Sequence, residues 1–365
     1  MNGGKTMKIG ILGLKSTGKS TVFSLLTDSV FDGSYKTDAV EKTAKVKDER
    51  IDFFSGMYLP KKTTYATLNF IDIPGFDSKS DQKEKTRILQ MIQAVDSIIL
   101  VVRAFESTVI PWPEDNDTPL KQLETLRTEL VIRDMEVVEN RLERLQADKK
   151  KKKLTPEAEK EEELLERIKQ ELDNGDFSSK LSINNDEKKL ISSLALLTLK
   201  PIIVLVNIDE DQLKTGIYKG REDILVDCEK QNFAYLELCG KIESDLVELS
   251  PEEKEVFMTE LGIKKPGIDM LSKIVYDHIG LISFFTVGQD EVRAWTIEKN
   301  TSMKKAAGKI HSDLEKGFVK AEVMKSKDLM EYKSEETLKS KGLWKLAGKE
   351  EIVQDGDILN IRANA

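Results

Sequence analysis

The run Gly13-Leu14-Lys15-Ser16-Thr17-Gly18-Lys19-Ser20 reads G-x-x-x-x-G-K-S, the spacing of a loop that wraps phosphates with its backbone. The apolar run Ile9-Gly10-Ile11-Leu12 before it predicts a short buried strand, and Thr21-Val22-Phe23-Ser24-Leu25-Leu26 after it has the apolar spacing of a helix. Strand, glycine-rich loop and helix together give a phosphate site: backbone N–H groups and a helix N-terminus supply partial positive charge. Lys19 is placed to reach the β- and γ-phosphates, and the Ser20 hydroxyl to ligate Mg²⁺. The nucleotide-binding positions of this segment are therefore Gly13, Lys15, Ser16, Thr17, Gly18, Lys19, Ser20 and Thr21.

Two further groups fit the same chemistry. Asp72-Ile73-Pro74-Gly75 is D-x-x-G at the end of the alternating stretch Thr67-Leu68-Asn69-Phe70-Ile71-Asp72. An aspartate there supports Mg²⁺, so Ser20 and Asp72 are the metal positions, and a glycine N–H there senses the γ-phosphate. Lys19 and Gly75 are candidates for a catalytic role on these grounds. Asn207-Ile208-Asp209-Glu210 follows the buried run Ile202-Ile203-Val204-Leu205-Val206, and open α/β sheets bind ligands at such strand ends. GTPases place N-K-x-D here. Ile208 and Glu210 replace its lysine and aspartate, which argues against guanine, while Asn207 stays available to the base or the loop. Gly240 and Lys241, in Leu238-Cys239-Gly240-Lys241-Ile242-Glu243, fall where a second base-contacting loop belongs.

These positions need a parallel sheet to hold them. From Lys8 to about Pro119 the pattern is α/β, and Asp96–Val102 reads as another buried strand. From Leu120 the pattern changes. Leu123, Leu126, Leu130, Leu142 and Leu145 form one helical stripe; Leu164, Leu165, Ile168 and Leu172 form a second; the run Lys149–Lys153 lies between them. That predicts an antiparallel helical hairpin inserted into the nucleotide domain. The expected division is a discontinuous G domain over 7–118 and 200–281, a hairpin over 119–199 and a small α+β module over 282–365. In the last, Ile352–Leu359 reads as a hairpin with an Asp-Gly turn.

Bulk properties agree. A chain of 365 residues has room for two or three domains, and its 33% charged residues suit long exposed helices. No apolar run approaches the roughly 20 residues that span a bilayer, and the first residues lack a signal-peptide core. Two cysteines, Cys228 and Cys239, form no metal spacing and no disulfide framework. A cytoplasmic setting follows as the expectation. The net charge of −8 argues against nonspecific nucleic-acid binding by the whole surface, and neither DNA nor a membrane is expected as partner. The lysine run at the hairpin tip is a local basic patch that suits RNA phosphates or, equally, solvent.

Beyond these motifs the chain resembles the Obg-like ATPase (YchF) family. The matching strings include Arg103-Ala104-Phe105-Glu106, Asn207-Ile208-Asp209-Glu210, Phe284-Phe285-Thr286-Val287-Gly288, Glu291–Ile297, Ala306–His311, Asp313–Phe318 and Ile352–Asp357. The resemblance implies a P-loop G domain with the inserted hairpin and a C-terminal TGS domain of β-grasp type. It implies ATP preferred over GTP through the N-x-x-E form, Mg²⁺ as cofactor, and association with the ribosome or its RNA. A GTPase of the same fold, and a catalytically weak RNA- or ribosome-binding scaffold, are the alternatives.

The chain departs from that family in both switches. Its first switch region, Tyr35–Val40, lacks the two prolines of the family's P-F-x-T-I-x-P segment, leaving Thr37 as a candidate switch threonine, a third catalytic candidate beside Lys19 and Gly75, with Thr43 as its rival. After Gly75 the run Phe76–Asp81 is short, without the family's histidine; the two histidines of the chain are His278 and His311. Phe76 stands where Ras-like proteins carry a water-orienting glutamine. Slow intrinsic hydrolysis is the expectation, with Arg87 as a possible charge donor.

Overall fold

The computed structural model describes residues 7–29, 38–77, 79–113, 116–151 and 155–364. Among them lie twelve strands: β1 (Lys8–Leu12), β2 (Val40–Lys45), β3 (Lys62–Thr64), β4 (Thr67–Asp72), β5 (Ser97–Arg103), β6 (Ile202–Asn207), β7 (Ala234–Leu238), β8 (Leu281–Thr286), β9 (Glu291–Glu298), β10 (Phe318–Lys325), β11 (Lys345–Ala347) and β12 (Asp357–Ala363). They form two six-stranded sheets. The chain divides into two compact units, one of residues 8–42 and 70–268, the other of 1–7, 43–69 and 269–365. The fold is mixed α/β.

In the first unit the sheet order is β2-β4-β1-β5-β6-β7, and β1, β5, β6 and β7 pair in parallel. Every residue of β5 and β6 is buried, as continuous apolar runs require of parallel strands covered on both faces. The expected loop or edge strand in 32–49 is an edge strand where described, β2.

Between β5 and β6 the chain leaves the sheet for two long helices, Pro119–Lys150 and Pro156–Asp173. Each begins with a threonine cap and a proline in its first turn: Thr118 accepts from the Lys121 N–H and Thr155 from the Ala158 N–H. The ion pairs Glu139–Lys169 and Lys149–Glu162 run in opposite order along the two helices, so the packing is antiparallel. Leu142, Leu145, Leu164, Leu165 and Ile168 fill the seam. Arg141 holds the nearly buried Glu161 by two bonds of 2.7 Å. Asp134 is buried and accepts from the Leu197 and Thr198 N–H groups at 2.9 and 2.7 Å, which fixes the first helix to the segment leading back into β6.

The second unit is built on the sheet β11-β10-β12-β8-β9-β3. One face packs Ile282, Phe284, Ile297, Ala321, Val323 and Leu359 with Met303 and Ala306 of the helix Met303–Ile310. On the other, Phe54 of the helix Glu49–Tyr58 meets Phe285 edge-on at 5.2 Å. Two features differ from the sequence expectation. The segment 43–69 groups with 269–365, not with the nucleotide unit; β3 adds to the sheet in parallel with β9. Ile352–Leu359 is not a hairpin: β12 pairs with β10 and β8, and Ile352 bridges to Ser302. Asp355-Gly356 is instead a turn entering β12, with Gly356 at φ 84°, so its turn chemistry was right and its strand partner wrong.

Candidate nucleotide site

The phosphate loop leaves β1 at Leu12 and ends at the helix Lys19–Leu26. Ser16 (φ 63°) and Gly18 (φ 94°) take the left-handed backbone that turns the loop. A side chain at Gly18 would also strike Asn207, whose Nδ2 lies 2.2 Å from where a Cβ would stand. The loop is braced from within: the Thr17 hydroxyl and the Lys19 ammonium both donate to the Leu14 carbonyl at 3.1 Å.

Lys19 is only 8% exposed. Burial lowers its pKa to about 8, against the pull of the Asp72 carboxylate and with the push of Lys15. The loop therefore holds a cation at the cost of its hydration, a cost that a triphosphate would relieve. Ser20 and Thr21 follow on the first turn, both half-buried.

The D-x-x-G segment lies against this loop. Phe76 N–H donates to the Gly13 carbonyl at 3.0 Å, and Leu14 bridges Phe76 in parallel. Asp72 is buried at the end of β4. A Cβ on Gly75 would come within 3.1 Å of the Lys19 ammonium and of Lys15 Cγ, so a glycine is what lets the segment approach. Lys15 binds Asp77 at 2.7 Å, and Asp77 also accepts from the Lys79 N–H at 2.9 Å. Phe76 is buried in the core.

On the base side Asn207 closes β6. Its Nδ2 donates to the Thr17 carbonyl and its Oδ1 accepts from the Gly240 N–H, each at 3.1 Å. One buried amide thus ties the phosphate loop to the loop after β7. Asp209 caps the helix Glu210–Thr215 by accepting from the Gln212 N–H, and Glu210 pairs with Lys241 at 2.6 Å. Cys239 is buried, which pushes its thiol pKa up and leaves it in the unreactive form.

These contacts join the phosphate loop, Asp72, Gly75, Asn207 and Gly240, and link Glu210 to Lys241. Thr37 lies outside the described residues. Thr43 donates its hydroxyl to Asn69 at 2.8 Å. Arg87 is ion-paired with Asp38, and Lys149 of the lysine run with Glu162; Lys152 and Lys153 lie outside the described residues. His311 caps the helix Ser312–Lys316, accepting from the Asp313 N–H. Trp295 stacks on Phe284 within the second unit.

Residues 8–141 match the family model described as a 50S ribosome-binding GTPase, and residues 281–364 match the model of the YchF GTPase C-terminal region, described as a protein of unknown function. The Bacillus subtilis protein named ribosome-binding ATPase YchF is 35% identical over 97% of this chain and 98% of its own length. The chain belongs to the YchF family. The Haemophilus ducreyi protein, also named ribosome-binding ATPase YchF, is 34% identical over 98% of this chain and 99% of its own. The solved structure of the Schizosaccharomyces pombe YchF GTPase superposes with a TM-score of 0.85, at 32% identity, covering 99% of both chains.

Within this YchF chain, two residues of the site escaped the reading of the sequence. Arg103 appeared there only inside a family string, yet it is the largest fully buried side chain among the described residues. An arginine ending an apolar strand, with Phe105 and Trp112 close behind, was the available signal. Gln122 is also fully buried; a lone glutamine in a charged helical stretch carries no signal of its own.

Proposed function

We propose that this YchF-family chain is a nucleotide switch that binds ATP with Mg²⁺, hydrolyses it slowly and associates with the ribosome in the cytoplasm. The observation that carries the reading is the buried Lys19, held inside a glycine-rich loop with the D-x-x-G glycine beside it. Lys19 and the N–H groups of 13–21 hold the phosphates. Ser20 and Asp72 fit Mg²⁺ as a hydroxyl and a buried carboxylate flanking the lysine; the ion, when bound, would offset the negative charge of the phosphates. Gly75 brings its N–H to the γ-position. Phe76 is core and Asp77 is bound to Lys15, so neither orients a water, and turnover is slow.

Base choice favours adenine. Guanine is read by a carboxylate that accepts from two ring N–H groups; here Asp209 is spent on a helix cap and Glu210 on Lys241. The Bacillus subtilis relative is named an ATPase and the Schizosaccharomyces pombe relative a GTPase, and the titration below decides between the two bases. Ribosome association rests on the relatives' names and the full-length match. No described helix is long and apolar enough to cross a membrane.

Calorimetric titration of ATP and GTP, with Mg²⁺, tests the reading, alongside co-sedimentation with purified ribosomes. ATP binding more tightly supports it. GTP binding more tightly makes the chain a GTPase. Co-sedimentation without binding of either nucleotide makes it a scaffold.

A further inference from the structure

The strongest unassigned feature is a chain of buried hydrogen bonds from the inserted hairpin to the phosphate loop. It starts at Gln122, one turn into the helix Pro119–Lys150 and fully buried. Its Oε1 accepts from the Arg103 N–H at 2.8 Å and its Nε2 donates to the Arg103 carbonyl at 2.9 Å. β1 pairs with β5 only as far as Leu12 opposite Leu100, so Arg103, three residues on, has no strand partner on that side. The glutamine amide takes that place in the ladder, satisfying two backbone groups that burial would otherwise penalise.

The next link is β6. Arg103 pairs in register with Asn207, and the Asn207 carbonyl accepts from the Ala104 and Phe105 N–H groups at 2.8 and 3.1 Å. The Asn207 side chain then reaches Thr17 and Gly240. The Arg103 side chain stiffens the joint: it donates to the carbonyls of Phe105, Ile110 and Pro111, with its guanidinium 4.2 Å from the Phe105 ring centre and 4.5 Å from that of Trp112.

We propose that Gln122 is a positioning residue for the nucleotide site: through Arg103 it sets the end of β5, and through Asn207 the spacing of the phosphate and base loops. Whatever binds the hairpin and tilts its first helix then acts on nucleotide affinity by this route. The inference rests on the nucleotide-site reading above.

The test replaces Gln122 with methionine, which keeps the volume and removes both bonds to Arg103 together with a longer one from Nε2 to the Asn116 carbonyl at 3.3 Å, and compares it with Leu145→Ala. Leu145 lies in the hairpin seam near its tip, so its truncation destabilises the same insertion without touching the chain of bonds. Gln122→Met is expected to weaken ATP and ADP binding alike, about tenfold, raising KM while kcat holds. Leu145→Ala is expected to stay within about twofold of wild type. Equal losses in both variants, or none in Gln122→Met, overturn the inference.

Hydrogen exchange on the wild type serves if Gln122→Met fails to fold. ATP with Mg²⁺ should slow exchange of the amides of Arg103, Ala104 and Phe105 and of 122–126; no slowing overturns the inference. Wild type that binds no nucleotide overturns the site reading and this one with it. Wild type that binds, with an indifferent Gln122→Met, overturns this one alone.

Discussion

The two ends of the candidate site are built on opposite principles. At the phosphate end a cation is buried, its pKa lowered to about 8 by lost hydration, and the loop around it takes left-handed backbone at Ser16 and Gly18. At the base end the groups already have partners: Asn207 is bonded on both sides, Asp209 caps a helix and Glu210 holds Lys241. The first end carries a cost that a ligand relieves; the second is satisfied without one. Binding energy therefore belongs at the phosphates, and the base end contributes geometry and discrimination.

Lys19→Ala is the sharpest way to break that contrast. Removing the charge-assisted contacts to the phosphates should lower ATP affinity by about 100-fold or more. The apo protein should be no less stable in urea, because a desolvated cation goes with it. A large loss of apo stability would mean that Lys19 is structural and the contrast false. Asn207→Ala should cost stability as well as affinity. It leaves the Thr17 carbonyl and the Gly240 N–H buried without their amide, at about 2 kcal/mol of unfolding free energy. By loosening both loops it should also weaken ATP binding about 30-fold. If Asn207→Ala weakens binding while stability holds, the base end is a ligand-contacting site first and a brace second.

The titration of Lys19 adds a pH test with a definite sign. Its folded pKa, about 8, lies below the ordinary lysine value of 10.5, so the unfolded chain binds the extra proton between those two values. Apo stability attributable to this group is therefore flat below pH 8 and rises between pH 8 and 10.5. ATP needs the charged form. Affinity should be level below about pH 7.5, then fall by up to tenfold per pH unit above 8. Calorimetry at pH 9 in buffers of differing ionisation enthalpy should show proton uptake on binding. Binding without proton uptake would mean that the lysine is charged in the empty site and not desolvated as its burial implies.

The same contrast decides what was legible in the sequence. The phosphate end is written in local order: strand, loop, lysine and helix are contiguous over 8–26, so spacing alone places Lys19 and Ser20. Asp72 and Gly75 lie far along the chain but at a strand end, where topology brings them to the loop. The base end depends on contacts between segments that no local pattern encodes. Asn207 was readable as a site residue, but its clamp on Thr17 and Gly240 was not. Glu210 and Lys241 were both named, yet their pairing needs the register of β6 beside β7. Gln122 was invisible because its role comes from the end of β1, which leaves Arg103 without a neighbour. In the second unit the alternating runs and the Asp-Gly turn were legible, while β3 was not. Three residues are too few to show a period, and β3 is held by pairing with β9, more than two hundred residues away.

The smallest expected effect tests the base end most finely. Lys241 and Glu210 are 74% and 41% exposed in their side chains, so the pair adds little to stability. Its role is to occupy a carboxylate. Lys241→Gln frees Glu210 for the ring N–H groups of guanine without moving Asn207. The ratio of ATP to GTP affinity should then fall by about fivefold, mainly through tighter GTP binding, with the thermal midpoint unchanged. Glu210→Gln in the same background should cancel the gain, because an amide accepts those bonds less strongly than a carboxylate. A ratio that stays constant through all three proteins would assign adenine preference to the backbone of the loop after β7, leaving the ion pair as surface decoration.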